Sequence, residues 1–310
     1  MPPVPSPVWL LTVYSMDVLS RLDEVEARVT SVFGSILKMD STKKVTKKLA
    51  GAAANTAAWV TNVDNKHGQV LMSVLTSAES VDLLLPMAVG LQERYRLAGV
   101  PPPQLMYVDR DCCSSFGGSK TAALFANWDR LVVRLDIWHL MRRFAAGVTT
   151  ESHQLYGPFG GEKGHDTLGI PLLDGSRIQA IWREQRRHLH CIQDPPAVQL
   201  YTETGRLTKG SVSLPVYRCA RGSTSLESFH LHNNRFIPGT SANAHHFQAL
   251  LLDGLVRWNE NCAAAAVEGR EQPLLSYSGH LQHSLNQLSQ RVLGVSLVKD
   301  HTAPREYTGV

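Results

Sequence analysis

The chain has 310 residues, of which 43% are hydrophobic and 19% charged, and 31 Lys+Arg against 27 Asp+Glu give a formal net charge of +4. At about 150 residues per domain this length predicts one large domain or two ordinary ones, with enough apolar material for a core and too little charge for a disordered chain. No apolar run approaches the roughly 18 residues of a membrane span, residues 1–16 lack the basic n-region of a signal peptide, and 5 cysteines, two of them adjacent, make a poor disulfide framework, so neither secretion nor membrane insertion is expected.

Residues 17–33 carry Val18, Leu19, Leu22, Val25 and Val29 at helical spacing and predict one amphipathic helix, ended by Gly34. Residues 35–40 predict a short strand, and 56–63 and 69–76 are β-rich runs joined by a Gly-containing turn of hairpin type. Ser80 is placed to cap a helix running to Tyr95, with Gly99 and the prolines at 101–103 stopping it. A strand at 104–109, a helix at 121–131 and a strand at 132–136 follow. An antiparallel hairpin among crossover helices predicts a layered α/β domain rather than a purely parallel one. Two strands end in an aspartate, Asp40 and Asp109, and the carboxyl ends of strands are where open sheets place ligands.

Beyond Arg143 the texture changes. Residues 156–171 are Gly-rich and irregular, 177–192 read as a basic helix, and 199–219 as a hairpin-like stretch. A short helix is predicted at 225–236 and a long one at 245–266, with Phe247, Leu250, Leu251, Leu255 and Trp258 on its buried face. The tail from Pro304 is expected to fray. Positive charge is concentrated at Lys38, Lys43, Lys44, Lys47 and Lys48, and again at Arg183, Arg186 and Arg187, which is compatible with nucleic acid without demanding it.

Four constellations can carry chemistry, each with a plainer reading beside it. Asp40-Ser41-Thr42-Lys43-Lys44 leaves a strand with a carboxylate, hydroxyls and ammonium groups able to hold Mg²⁺ and a phosphate, or it is a turn with a solvated lysine face. Asp109 ends a strand as a metal ligand would, with Asp111 able to substitute, or it is turn chemistry or a helix cap. Asp136 and His139, at i and i+3 ahead of Arg142 and Arg143, share a helix face and can bind a metal or each other, or Asp136 caps the helix with His139 packed beneath it. Thr224-x-x-Glu227 has the spacing of a capping box, which accounts for Glu227 without chemistry. His188, His190, Cys191, His230 and His232 form no closed zinc pattern, and the adjacent Cys112 and Cys113 read as buried thiols, because paired metal ligands are separated by two or more residues.

In this order the four blocks resemble those of DDE-type transposases of the Mutator-like broad class, and most of the chain is similar to transposase-derived proteins repeated through animal genomes. LKMDSTKKVTKK is similar to the first catalytic block, YVDRDCC to the second-Asp block, and SLESFH to the Asn-x-x-Glu-Ser-x-Asn block, with Thr224 and His230 in place of its asparagines. LDIWH stands where that class carries Cys-x-x-His, so Asp136 replaces the cysteine and His139 matches the histidine. The resemblance implies an α/β fold with an RNase H-like mixed sheet flanked by helices and a mostly helical insertion before the last catalytic helix. The divisions it implies are a helical lead-in at 1–34, the first part of the core at 35–145, the insertion at 146–222, completing helices at 223–267 and a tail at 268–310.

The activity so implied is that of a DNA nucleotidyltransferase, cleaving phosphodiesters and transferring strands with Mg²⁺ or Mn²⁺. Asp40, Asp109 and Glu227 would be the catalytic, metal-holding acids, with Asp40 bridging two ions about 4 Å apart. Asp136 and His139 would orient a water or phosphate nearby. Lys43, Lys44, Lys47, Arg142 and Arg143 would contact DNA phosphates. Glu260, in RWNEN, is the alternative third acid. DNA as partner, homo-oligomeric assembly and a nuclear location follow from the same resemblance. A domesticated DNA- or chromatin-binding protein that kept the core and lost the chemistry is the rival reading. An exonuclease on a similar fold is a second rival, disfavoured because Asp40 has no acidic neighbour within two residues.

Overall fold

The computed structural model describes residues 5–113, 118–145, 175–196, 198–237, 239, 242–268 and 279–296. The irregular 156–171 stretch and the tail from Pro304 lie outside these residues. The architecture is α/β, a mixed five-stranded sheet flanked by helices. Strands β1 (Ile36–Thr42), β2 (Trp59–Asn65) and β3 (Val70–Thr76) form an antiparallel meander, while β4 (Leu105–Val108) and β5 (Val132–Leu135) add parallel to the other side of β1, giving the order β3-β2-β1-β4-β5.

The period-two alternation of each strand divides the sheet into an apolar and a polar face. Leu37, Val63, Leu71, Met106, Val108, Val133 and Leu135 point to one side. There they bury against Leu84, Leu91 and Tyr95 of helix α3 (Val81–Leu97) and against Leu124, Phe125 and Trp128. The Tyr95 hydroxyl accepts from the Gly34 amide and donates to the Gly34 carbonyl, both at 2.9 Å, and fixes the entry of β1 over that core. The opposite face holds Val60, Val70, Lys38, Asp40, Asn62 and Asp64, covered by the helices α7 (Thr224–Phe236) and α8 (Ala244–Glu268) through Leu226, Phe229, Phe247, Leu250, Leu251 and Leu255. Helices α1 (Pro7–Ser20) and α2 (Leu22–Thr30) pack on α8.

Several boundaries differ from the sequence expectation for identifiable reasons. The single helix expected over 17–33 is two helices broken at Arg21, whose amide bonds back to Val18 only three residues away. The first of them starts ten residues earlier than 17, because Ser6 accepts from the Trp9 amide at 3.2 Å and Pro7 occupies the first helical turn, where a missing N–H costs nothing. The helix expected over 121–131 is only α4 (Lys120–Leu124), because Phe125 and Trp128 leave it to stack on each other at 5.0 Å inside the core. The basic segment continues from α6 (Gly175–Gln185) as a 3-10 helix, Arg186–Ile192. Among the described residues the 146–222 region is shared between these helices and an exposed hairpin, β6 (Tyr201–Lys209) and β7 (Val212–Cys219), so it is less helical than expected.

Candidate active site

Three aspartates stand in a row along the carboxyl edge of the sheet. In the parallel registers Met39 pairs with Val108 and Val108 with Leu135, and the next residue of each strand run is Asp40, Asp109 and Asp136. All three have the parity of the polar face, so they emerge on the side that α7 covers. A fourth acid, Glu227, arrives from the first turn of α7.

Glu227 is not held in a capping box. The N-cap of α7 is Ser223, one residue earlier than the box requires, and among the described residues no side chain caps the helix. Ser223 instead donates its hydroxyl to Asp136 Oδ2 at 2.6 Å, which leaves Glu227 turned toward the aspartates with its Oε1 3.6 Å from His139 Nε2. A second serine, Ser225, anchors the same turn: its hydroxyl accepts from the buried Lys38 Nζ at 2.9 Å and donates to Asp64 Oδ2 at 2.5 Å. Lys38 is therefore buried beneath α7 and does not belong to the exposed lysine group with which the sequence placed it.

The donor atoms converge into two groups that share one residue. Oxygens of Asp40 and Asp109 and a nitrogen of His139 lie within 4.8 Å of one another, and so do those of Asp40, Glu227 and His230. Glu260, the alternative third acid, is in neither group and is ion-paired with Arg28 of α2. Asp111 is in neither group either; it adopts a left-handed turn conformation (φ 57°) and is half-exposed 3.9 Å from Lys120.

Burial pushes the Asp40 carboxyl up to about 7, helped by the neighbouring charges of Asp109 and Glu227 and opposed by His139 and the Ser41 amide, which donates at 2.8 Å. Burial also raises Asp109, against the pull of His139 and Arg143. Asp136 is the exception. Burial would raise it, but hydrogen bonds from His139 Nδ1 (2.6 Å), Ser223 and the Trp138 amide (3.0 Å) prevail and hold it below the usual carboxylate range. It thus caps α5 (Ile137–Ala145) and orients His139 at once. His139 is lowered by burial but raised overall by the bond to Asp136 and by the charges of Asp40, Asp136 and Asp109. His230 is driven down to about 4 by burial and by the charges of Lys44 and His139, so it is neutral at pH 7.

Gly222 shows how closely the second layer is built. Its φ is +88°, and a Cβ there would lie 2.9 Å from Asp136 Oδ1. Around the site several buried polar atoms have no hydrogen-bond partner among the described residues: His230 Nε2, both side-chain polar atoms of Asn62 and of Asn233, and Asp64 Oδ1. Such atoms carry a desolvation cost unless water or an ion satisfies them. Carboxylates raised chiefly by burial, a neutral imidazole with an unpartnered nitrogen, and a histidine whose other nitrogen donates to a carboxylate make a donor set that fits a divalent cation.

Of the expected phosphate contacts, Lys43, Lys44, Lys47 and Arg142 are exposed, with Lys43 resting over the Trp59 ring at 4.4 Å and Arg142 over Trp138 at 5.2 Å. Arg143 differs. It turns inward, donating to the Asp109 carbonyl and to Gln185 Oε1 at 2.8 Å, and so braces the second acid. Lys48 is spent on the carbonyls of Ile237 and Gly239.

Sequence reasoning passed over Ser223, Ser225, Asp64, Asn62 and Asn233. Part of the signal was present: Lys38, Asp40 and Thr42, and Asn62 and Asp64, recur at period two on strands otherwise rich in buried residues, which marks a polar stripe under a covering element. No protein-family model matches the chain, and no curated protein matches it. Among the described residues no helix is long and apolar enough to cross a membrane.

Proposed function

We propose that the chain is an RNase H-like, DDE-type nucleotidyltransferase of transposase descent, which cleaves DNA phosphodiesters with Mg²⁺ or Mn²⁺. One observation carries the reading: Asp40 belongs to both donor groups, with Asp109 and His139 on one side and Glu227 and His230 on the other. That is the arrangement two cations sharing one carboxylate require. When bound, such ions supply an attacking water or 3′-hydroxyl of lowered pKa and neutralise charge on the leaving oxygen. Asp136 and Ser223 fix the His139 ring so that its Nε2 faces the acids. Lys43, Lys44, Lys47 and Arg142 offer exposed cations for backbone phosphates, a contribution that is independent of base sequence and weakens with salt. The mixed oxygen and imidazole donor set suits Mn²⁺ at least as well as Mg²⁺. Action in the nucleus and as a homo-oligomer goes with a DNA substrate and with transposase descent.

The test is nicking of supercoiled plasmid by the purified chain in Mn²⁺ or Mg²⁺. Asp40→Asn and Glu227→Gln are each expected to bring nicking to background while circular dichroism and salt-sensitive DNA binding are retained. Nicking by a folded Asp40→Asn variant at the wild-type rate would sink the assignment. A folded wild type that binds DNA with no metal-dependent nicking would favour the non-catalytic alternative.

A further inference from the structure

A second cluster of ligating side chains lies behind Asp109, and the acid site makes no use of it. Cys112 and Cys113 follow Asp109 by a few residues, after the left-handed turn at Asp111, while His188 and Cys191 come from the 3-10 helix that packs on β5. Their ligand atoms all lie within 4.8 Å of one another. Cys112 Sγ is 4.0 Å from Cys113 Sγ and 3.4 Å from His188 Nδ1, and Cys113 Sγ is 3.2 Å from His188 Nδ1. A tetrahedral zinc with Zn–S near 2.3 Å and Zn–N near 2.05 Å needs S···S of about 3.8 Å and S···N of about 3.6 Å. The observed spacings lie within a few tenths of an ångström of those values.

We propose that Cys112, Cys113, His188 and Cys191 form a structural zinc site that fastens the 3-10 helix to the loop leaving the second catalytic strand. The rule that sets zinc-binding cysteines two or more residues apart describes ligand pairs on a single turn. Here the turn at Asp111 lets neighbouring thiols converge, and the other two ligands come from some 75 residues away in the chain. Three of the four residues are buried and Cys113 is half-buried, so the site has four protein ligands and none left open, as structural rather than catalytic zinc has. Three thiols and an imidazole are soft and borderline donors, which select zinc over the magnesium that the carboxylates would hold.

Charge and protons balance. Binding releases three thiol protons, and three thiolates around Zn²⁺ leave one negative charge, offset by the guanidinium groups of Arg134 and Arg143 that act on Cys191 and His188. Arg187 Nε donates to His188 Nε2 at 3.3 Å, which places the ring proton on Nδ1, facing the sulfurs. Metal at Nδ1 moves that proton to Nε2 and frees Arg187, which is exposed and has solvent to turn into. His190, whose Nε2 lies 3.2 Å from Cys191 Sγ, is exposed and outside the four-atom group.

The site acts as a second brace on the segment that Arg143 already ties to Gln185 through the Asp109 carbonyl. The experiment is elemental analysis of the full chain purified with zinc present and thiols reduced, followed by cobalt substitution. One zinc per chain is expected, and a cobalt form showing sulfur-to-cobalt charge transfer with the intense visible bands of tetrahedral thiolate coordination. Cys112→Ser and Cys191→Ser should lose both signals, while Cys219→Ser, His190→Ala and Asp109→Ala retain them. A folded wild type without stoichiometric zinc would overturn the proposal, as would a cobalt form lacking sulfur charge transfer, which would place the metal on the carboxylates. Should the cysteine variants unfold, the wild-type spectrum still decides. The proposal is independent of the nuclease reading, since retention of zinc by Asp109→Ala separates the two sites.

Discussion

The chain carries two polar clusters on opposite sides of Asp109, and they are built on contrary principles. The acid cluster gathers carboxylates from the carboxyl edge of adjacent parallel strands with one glutamate from a covering helix, and burial, helped by the charges of Asp109 and Glu227, raises Asp40 to about 7. The thiol cluster gathers soft ligands into a closed tetrad with arginines around it. The first is crowded with acids, which the proposed uptake of metal would need. The second is self-contained and suits a permanent fastening. Were both sites to bind as proposed, carboxylates on one side and thiols on the other would sort two metals by ligand chemistry alone.

The contrast can be broken most forcefully at Asp40, the one residue common to both donor groups. Its replacement by Asn is expected to take plasmid nicking to background, where replacing Cys112 should weaken nicking only through a loosened Asp109. Next in size is Asp136→Asn, which leaves the acids of the two donor groups untouched but removes the partner that orients His139. Outer-shell partners of this kind are worth about 10- to 100-fold in activity or metal affinity, and the pH–rate profile should lose the limb set by the raised His139. Gly222→Ala attacks the same bond sterically. A non-glycine residue at its positive φ, with a Cβ pressed on Asp136, should cost about 1–3 kcal/mol in chemical denaturation.

The pH dependence follows from Asp40. Folded, it holds its proton up to about 7; unfolded, only to the ordinary Asp value of about 4. Between those values the folded state binds more protons, so the metal-free fold loses stability as pH rises through that window, with the buried Asp64, also raised to about 7, adding in the same direction. A cation needs the ionised carboxylate, so the rise in melting temperature produced by Mn²⁺ should grow across the same window. A metal-induced shift that is flat with pH would contradict the assignment of Asp40. The smallest effect is expected at Glu260→Gln. That change removes a partly exposed ion pair with Arg28, worth at most about 1 kcal/mol, and should leave nicking unchanged.

What the sequence made legible was what depends on local pattern. Asp109 just past β4, the Asp136-x-x-His139 pair on a starting helix, and the order of the elements come from period and position, whereas the strand expected to end at Asp40 runs on to Thr42, because Ser41 and Thr42 keep their pairing with β2. Glu227 could be seen but not placed, because a capping box accounts for it until the N-cap is found at Ser223 rather than Thr224. The start of α1 was hidden by its prolines, although Ser6-Pro7 is itself a start signal. Lys38 looked like surface charge and is buried, since its partner Ser225 is 187 residues away. The thiol tetrad was illegible for the same reason: its two halves come together only when the segment after α6 docks on β5, and no spacing rule reports a contact of that range.

Calorimetric titration of Mn²⁺ into the zinc-loaded wild type and into Asp40→Asn is the most direct test of the shared-carboxylate centre. The account predicts two binding events per chain for the wild type, strengthening above about pH 7, and loss of both in the variant. Equal Mn²⁺ binding by the two proteins, or none by a folded wild type, would contradict it.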